Sequence, residues 1–213
     1  MDIQTTKTLG GIGALLMLIS PLSGFAAGGF GSLLGLVGII LVLIAMKGLA
    51  DNYNESGIFN NTLYGVILTI VGAVVFVATI VVGAVGFLSE LNLDLDTLST
   101  DPTALSNMDW EAAIDFSTLG EYIAIILAGL VVLFVFVVIA AIFYRKSLSS
   151  LSEKTGVGLF GTTGLIILIG AVLTIILVGF LLLWVALLLL TIAFFSIKTD
   201  AVPPPPPPPE PPT

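Results

Sequence analysis

Carboxylates and hydroxyls are the groups that could carry chemistry in this sequence, because its 213 residues include neither cysteine nor histidine. Their absence excludes disulfides, thiolate nucleophiles, imidazole acid–base catalysis, and haem or copper bound through imidazole. No glycine-rich run ends in Lys-Ser or Lys-Thr at the spacing of a phosphate-binding loop. We therefore assign no catalytic, cofactor-binding or metal-binding residue, and we predict that the protein is not an enzyme.

The densest group of carboxylates lies between Glu90 and Glu121, a segment that contains no Lys or Arg. Asp94, Asp96 and Asp101 carry oxygen ligands of the kind that Ca²⁺ prefers. The segment lacks the glycine and the distal glutamate of an EF-hand loop, so we favour solvated charge over a cation site. We predict that residues 90–121 form an acidic loop outside the membrane.

Hydroxyls are the polar groups inside the long apolar stretches, which contain no Asp, Glu, Lys or Arg. They belong to Thr69, Thr79, Thr162, Thr163, Thr174 and Thr191, with Ser20 and Ser32 nearer a bend. In membrane helices such hydroxyls usually donate to a carbonyl of their own helix or bond to a neighbouring helix. We favour this structural role over a substrate-lining role. A proton-coupled transporter is disfavoured, because proton relays use ionisable residues within the membrane.

The apolar stretches that position these hydroxyls dominate the composition, which is 57% hydrophobic and 9% charged. A helix needs about 20 residues to cross a hydrocarbon core of about 30 Å. The uncharged stretches 58–89 and 122–144 each fit one helix. The stretches 8–46 and 158–197 are nearly twice the length of a span, so each is predicted to fold back as a hairpin.

Each predicted hairpin needs a turn. In the first, Ser20-Pro21 and the glycines that follow predict a break between helices at 9–22 and 30–46. In the last, no proline or charge marks the turn, and we place it at Val178-Gly179, between helices at 159–177 and 180–197. A kinked single span is the alternative there. The predicted fold is an all-α integral membrane protein with six transmembrane helices in residues 1–198: two tight hairpins at the ends and two longer single spans in the middle.

Six spans place every basic residue on one side of the membrane: Lys7, Lys47, Arg145, Lys146, Lys154 and Lys198. The positive-inside rule makes that side cytoplasmic. We therefore predict a multi-pass protein of the cell membrane with both termini in the cytoplasm. A cleavable signal peptide over the first apolar run is disfavoured, because a second long apolar run follows at once. The net charge of −8 argues against a nucleic-acid partner.

Two windows of the chain, 47–74 and 146–172, resemble each other in the order of their Lys, Gly, Thr and Gly-rich positions. The alignment needs one-residue offsets. A true repeat would relate the windows by an axis along the membrane normal and would indicate a pseudosymmetric bundle with a central cavity. Chance matching of the frequent residues Gly, Val, Ile and Leu is an equally weighted alternative.

Two further features bear on partners. Gly24 with Gly28, and Gly31 with Gly35, have the GxxxG spacing that lets helices approach closely, either within one chain or between copies in a homo-oligomer. Residues 199–213 contain the seven consecutive prolines Pro203–Pro209. They predict a cytoplasmic polyproline II tail that acts as a spacer or docks onto a partner.

Three segments of the chain resemble a family of small archaeal membrane proteins known only as a domain of unknown function. They are Lys-Thr-Leu-Gly-Gly-Ile-Gly at 7–13, the junction from Lys47 to Asn61, and Ala-Phe-Phe-Ser-Ile at 193–197. The resemblance covers residues 1–198 and excludes the proline tail. It implies a multi-span archaeal membrane protein, and it implies no activity or catalytic residue.

These observations predict a non-enzymatic structural or accessory subunit of a membrane assembly. Its expected contacts are membrane lipids and a protein partner that binds the outer acidic loop or the proline tail. The alternative is a passive channel or uncoupled transporter for a neutral or apolar solute. A polar cavity between the helices would favour the alternative, whereas closely packed helices would favour the accessory subunit.

Overall fold

The structure, a computed structural model, describes residues 1–27, 30–91, 95–100, 103, 106 and 116–198. Over these residues the chain forms helices and no β-strand. The helices are α1 (Ile3–Ala27), α2 (Phe30–Asn52), α3 (Ser56–Glu90), the short α4 (Leu95–Thr100), α5 (Phe116–Thr155), α6 (Gly158–Leu173), a 3₁₀ turn (Thr174–Ile176) and α7 (Val178–Phe195). Six of these helices, all except α4, are long and apolar enough to cross a membrane. The protein is therefore an all-α, multi-pass membrane protein, as the sequence predicts.

The first hairpin pairs α1 with α2 through two glycines. A Cβ atom added at Gly13 would lie 2.8 Å from the carbonyl oxygen of Gly38, and one added at Gly38 would lie 2.7 Å from that of Gly13. Only glycine allows the two backbones to approach this closely. The glycine-containing faces of α1 and α2 at Gly13 and Gly38 therefore contact each other within the chain.

The predicted helix break at Ser20-Pro21 is wrong, because α1 continues through Pro21 to Ala27. Proline removes one backbone hydrogen bond from a helix. In hydrocarbon an unwound turn would leave several backbone groups unsatisfied, so keeping the helix intact is the better solution. The first helix ends at Ala27 and the second begins at Phe30, and positions 28–29 lie outside the described residues.

The central hairpin is formed by the two longest helices, α3 with 35 residues and α5 with 40. Glycines set the contact again: Gly65 packs on the ring of Tyr144, and Gly72 packs on Phe136. At about 1.5 Å per residue each helix exceeds the thickness of the hydrocarbon core, so its ends project beyond it or the helix tilts.

The boundaries predicted for α5 were too narrow at both ends. The helix begins at Phe116, inside the predicted loop, and ends at Thr155, well past the predicted end at residue 144. Charged residues limited the predicted span. Arg145 and Lys146 instead continue the helix, because both are good helix formers and both are exposed to solvent at the end of the bundle.

The last apolar stretch folds back as a hairpin rather than running as one kinked span, since α6 and α7 pack against each other. The turn lies at Leu177, one residue before the predicted site, where the backbone adopts a left-handed conformation with φ of 64°. The Leu177 amide donates to the carbonyl of Thr174 over 3.0 Å. Gly179 then passes very close to the backbone of α6, because a Cβ atom at residue 179 would clash with the Gly170 carbonyl oxygen.

The six long helices contact one another in chain order, and α7 closes the ring by packing on α1. At this closure the Phe194 ring covers Gly10, and the indole N–H of Trp184 donates to the Leu18 carbonyl over 3.1 Å. The three hairpins therefore form a closed six-helix ring. This topology places both ends of residues 1–198 at the same end of the bundle.

The two windows that resemble each other cover the α2–α3 corner and the α5–α6 corner, at the same end of the ring. The corners are adjacent, since the Lys154 amine lies 3.5 Å from a Glu55 carboxylate oxygen. The shared threonines, Thr62 and Thr163, are both buried. Packing therefore accounts for the shared positions, and the internal repeat stays a prediction.

Candidate functional site: a central apolar cavity

A cavity of about 360 Å³ lies where the six long helices meet, and every one of them contributes to its wall. The lining residues are Met17 of α1; Ile39, Val42, Leu43 and Met46 of α2; Thr62, Val66, Thr69 and Ile70 of α3; Val137, Ala141, Tyr144 and Leu148 of α5; Ile167 and Ala171 of α6; and Leu183, Leu187 and Leu190 of α7. Pockets for small molecules span about 300–1,000 Å³. The cavity is large enough for a small ligand, and hydrocarbon makes up most of its wall.

The helical repeat explains how separate parts of the sequence build this wall. With 3.6 residues per turn, positions spaced by four, three and four residues share one face of a helix. The residues of α5 follow this spacing at Val137, Ala141, Tyr144 and Leu148. One continuous face of α5 therefore forms this part of the cavity wall.

The polar part of the wall is a pair of hydroxyls contributed by α3 and α5. The Thr69 hydroxyl donates to the Gly65 carbonyl over 2.9 Å, and its oxygen lies 3.3 Å from the Tyr144 hydroxyl. Because the threonine proton is already used, Tyr144 is the donor in this second contact. At 3.3 Å the contact is longer than a typical hydroxyl–hydroxyl bond. Tyr144 thus retains hydrogen-bonding capacity toward the cavity.

A second pair of hydroxyls lies nearer the basic end and is fully used in packing. The oxygens of Thr62 and Ser147 lie 2.7 Å apart, and each hydroxyl is within bonding distance of the Ile58 carbonyl. Both side chains are buried. Across the described residues, no buried side-chain nitrogen or oxygen lacks a partner. This pair joins α3 to α5 and gives the cavity a rigid polar edge.

The cavity is closed toward the basic end by a tightly packed floor. Leu49, Ile58, Leu151, Phe160 and Phe194 are buried there. The rings of Phe160 and Phe194 meet edge to face, with centroids 5.3 Å apart. Beyond this floor lie the six basic residues of the chain, including the exposed pair between Lys47 and Asp51 at 2.8 Å.

At its other end the cavity reaches the level where α3 and α5 separate from the ring. Of residues 73–90 of α3 only Gly83 is buried, and of residues 119–135 of α5 only Gly129 is buried. We call these two segments the α3–α5 arm, since they contact each other and leave their remaining faces exposed. The wall residues Ile70 and Val137 stand at the base of the arm. Ile70 is 53% exposed, so the cavity wall reaches the outer surface of the ring at this point.

Most of this wall falls within a segment that matches a family model. Residues 34–188 match the family described as Protein of unknown function (DUF996). The chain belongs to this family. It is also 32% identical over 200 residues to an uncharacterized protein of Methanocaldococcus jannaschii, a match that covers 94% of this chain and 96% of the relative. No solved structure matches. These findings confirm the resemblance to archaeal membrane proteins of unknown function.

The matched segment of this DUF996 protein includes the wall residues from α2, α3, α5 and α6. From α7 it includes Leu183 and Leu187 but ends before Leu190, and it begins after Met17 of α1. The cavity is thus built mainly from the part of the chain that defines the family.

The threonines selected from the sequence behave as predicted. Each hydroxyl donates to a carbonyl three or four residues earlier in its own helix, at 2.6–3.4 Å, for Thr69, Thr79, Thr162, Thr163, Thr174 and Thr191. The structure brings one of them, Thr69, to the cavity wall. Side chains of 24–32, which include Ser32 and most of the GxxxG positions, lie outside the described residues.

The sequence did not point to Tyr144 and Ser147, which carry the polar contacts between α3 and α5. Both lie beside Arg145 and Lys146, and this charged neighbourhood suggested the end of a span rather than its interior. No periodic signal marked Tyr144, because residues 122–143 of α5 are apolar on every face of the helix. In the acidic segment, Asp96 is exposed on α4, while Asp94 and Asp101 lie outside the described residues, as does the tail 199–213.

Proposed function

We propose that this protein is a non-enzymatic accessory subunit of a membrane assembly, and that the α3–α5 arm contacts a transmembrane helix of its partner. The arm is the observation that carries the proposal. Val74 and Val131, one on each helix of the arm, are 62% and 63% exposed. Valine and isoleucine cover both outer faces of the arm, a surface that suits an apolar helix by close van der Waals packing.

The packed floor supports the same proposal, because its buried apolar side chains separate the cavity from the basic end. The spans also lack Asp, Glu, Lys and Arg, the residues that mark coupled transport. The positive-inside rule supports an orientation in the cell membrane with the basic end, and hence both termini, in the cytoplasm. In that orientation the acidic segment and the proline tail offer two further partner contacts on opposite sides of the membrane.

Bulky substitutions on the arm test the role of this surface. Val74→Trp and Val131→Trp keep the surface apolar, so insertion into lipid should persist while a close helix contact is lost. The matched control is Leu36→Trp, at a residue of α2 that is 57% exposed. We expect the native complex extracted in mild detergent to lose mass in both arm variants and to keep its mass in the control.

The same experiment separates a foreign partner from a second copy of the chain. Two differently tagged copies are co-expressed, and each is captured through its own tag. Recovery of both tags would assign the arm to a homo-oligomer. An unchanged mass in the arm variants would contradict the proposed docking surface.

A second candidate function, passive passage of an apolar solute, is favoured by the cavity that all six helices line. The apolar wall fits such a solute better than a neutral polar one. The packed floor opposes passage, since it separates the cavity from the basic end. Release of a solute from vesicles that contain the purified protein would support passage, whereas release equal to that from protein-free vesicles would contradict it.

A further inference from the structure

We infer that the central cavity binds a membrane-dissolved alcohol, whose hydrocarbon chain fills the apolar wall and whose hydroxyl lies against Tyr144 and Thr69. This inference does not depend on the accessory role. It rests on the volume of the cavity, the hydrogen-bonding state of these two side chains, and the direction in which the cavity opens.

The volume sets the size of the ligand. An apolar cavity of about 150 Å³ stays dry and binds benzene. By proportion, the cavity of about 360 Å³ holds a chain of about a dozen carbons. Wall residues such as Val66, Ala141, Ile167 and Leu187 offer carbon atoms and no hydrogen bonds, so hydrocarbon is favoured over a cluster of water molecules.

The hydroxyl pair sets the polar end of the ligand. The Thr69 hydroxyl donates its proton to the Gly65 carbonyl. The Tyr144 hydroxyl donates to the Thr69 oxygen, and the two oxygens lie 3.3 Å apart, which is long for such a bond. The Tyr144 oxygen is therefore ready to accept a hydrogen bond, and its proton can turn toward a better acceptor. The oxygen of an alcohol can accept the Tyr144 proton while its own proton is donated to the Thr69 oxygen, so one hydroxyl bonds to both side chains. A charged headgroup does not fit, because none of the described residues that line the cavity carries an ionised side chain.

The opening sets the route of entry. The floor formed by residues such as Phe160 and Phe194 separates the cavity from the basic end. At the base of the α3–α5 arm, Ile70 lines the cavity and is also 53% exposed, so the wall reaches the apolar outer surface of the bundle there. The ligand therefore comes from the bilayer, where long-chain alcohols partition.

Photolabelling of the full chain in lipid nanodiscs tests the site directly. The probe is dodecanol that carries a diazirine in its chain, and the labelled residues are mapped by mass spectrometry. We expect labels on the cavity faces of α3 and α5, around Val66–Ile70 and Val137–Tyr144. Unlabelled dodecanol should compete about three- to tenfold better than dodecane, which corresponds to one net hydrogen bond.

Two variants assign the effect to the cavity. Tyr144→Phe keeps the ring and removes the hydroxyl, so the preference for dodecanol over dodecane should disappear. The matched control is Tyr64→Phe, which removes a hydroxyl from an exposed tyrosine on the outside of α3 and should leave the preference intact. Val66→Phe fills the cavity and should abolish labelling at the wall, while the variant still unfolds cooperatively.

Three results would overturn the inference. They are labels spread evenly over the lipid-facing helices, equal competition by dodecane and dodecanol in the wild-type protein, and a preference that survives Tyr144→Phe. The wild-type competition requires no substitution and remains decisive if a variant fails to fold. Partner capture does not enter any of these measurements, so the accessory role and the alcohol site can fail separately.

Discussion

The amine of Lys7 lies 2.8 Å from the carbonyl oxygen of Ile197, and so joins the first span to the end of the last. Ile197 follows the final turn of α7, where helix carbonyls lack partners within the helix. A cation at this position also interacts favourably with the negative end of the helix dipole. This contact therefore adds to the packing of α7 on α1 and links the two ends of the bundle.

Replacing this lysine should loosen the ring closure. Lys7→Gln removes the charge and shortens the reach to Ile197, so the unfolding free energy should fall by about 1–2 kcal/mol. Thermal unfolding in detergent or nanodiscs measures the change. Lys198→Gln is the control, because it removes a basic residue that is exposed at the same end. An equal loss in both variants would indicate a general charge effect and contradict the specific contact.

The orientation of the protein in the membrane can be measured by labelling introduced cysteines, because the chain contains no cysteine of its own that would react. Single cysteines are placed at Ser56 and Ser150, at the basic end, and at Thr103, in the acidic segment. With the basic end in the cytoplasm, a membrane-impermeant thiol reagent should label only the Thr103→Cys variant in intact cells. Permeabilised cells, in which the other two variants should also react, provide the control. Labelling of Ser56→Cys in intact cells would reverse the orientation.

The six spans and the two end hairpins were predictable because charge and apolar length determine where a chain can cross a membrane. The uncharged stretch 158–197 is too long for one span, and this length alone predicted its fold into a hairpin. The hydroxyl contacts were equally predictable. Thr79 and Thr191 bond to their own helix, because hydrocarbon offers their protons no other acceptor.

The backbone conformation at Pro21 and Leu177 and the position of the cavity could not be predicted from the sequence. Pro21 suggested a break by the rules for soluble helices, but a helix in lipid tolerates proline better than unwinding. Leu177 adopts the left-handed region that usually signals glycine, so nothing marked it as the turn. The spans are apolar on every face, and no periodic contrast distinguishes the wall residue Ala141 from residues that face lipid.

The close approach of α6 and α7 should depend on the absence of a side chain at one position. Gly179→Ala would place a methyl group in steric conflict with the Gly170 carbonyl oxygen, and relief of this clash requires the hairpin to open. We expect a loss of about 1–3 kcal/mol in unfolding free energy. Gly120→Ala is the matched control, because a Cβ atom there has no neighbour within 4 Å. That control should be neutral or slightly stabilising. Comparable losses in both variants would rule out the close contact.

The buried pair between Thr62 and Ser147 should show coupling that a double-mutant cycle can measure. Thr62→Val and Ser147→Ala each remove one hydroxyl from the 2.7 Å contact that joins α3 to α5. Hydrogen bonds between membrane helices contribute about 0.6 kcal/mol on average, because partners are also found in the unfolded state within the membrane. We expect coupling of about that size or larger, since both side chains are buried and share the Ile58 carbonyl.

The control cycle pairs Thr62→Val with Thr79→Val, whose hydroxyl bonds only within its own helix turn, at the Val75 carbonyl. Its coupling should be near zero. If the two cycles give the same value, the contact does not stabilise the α3–α5 pairing, and the rigid polar edge assigned to the cavity is lost.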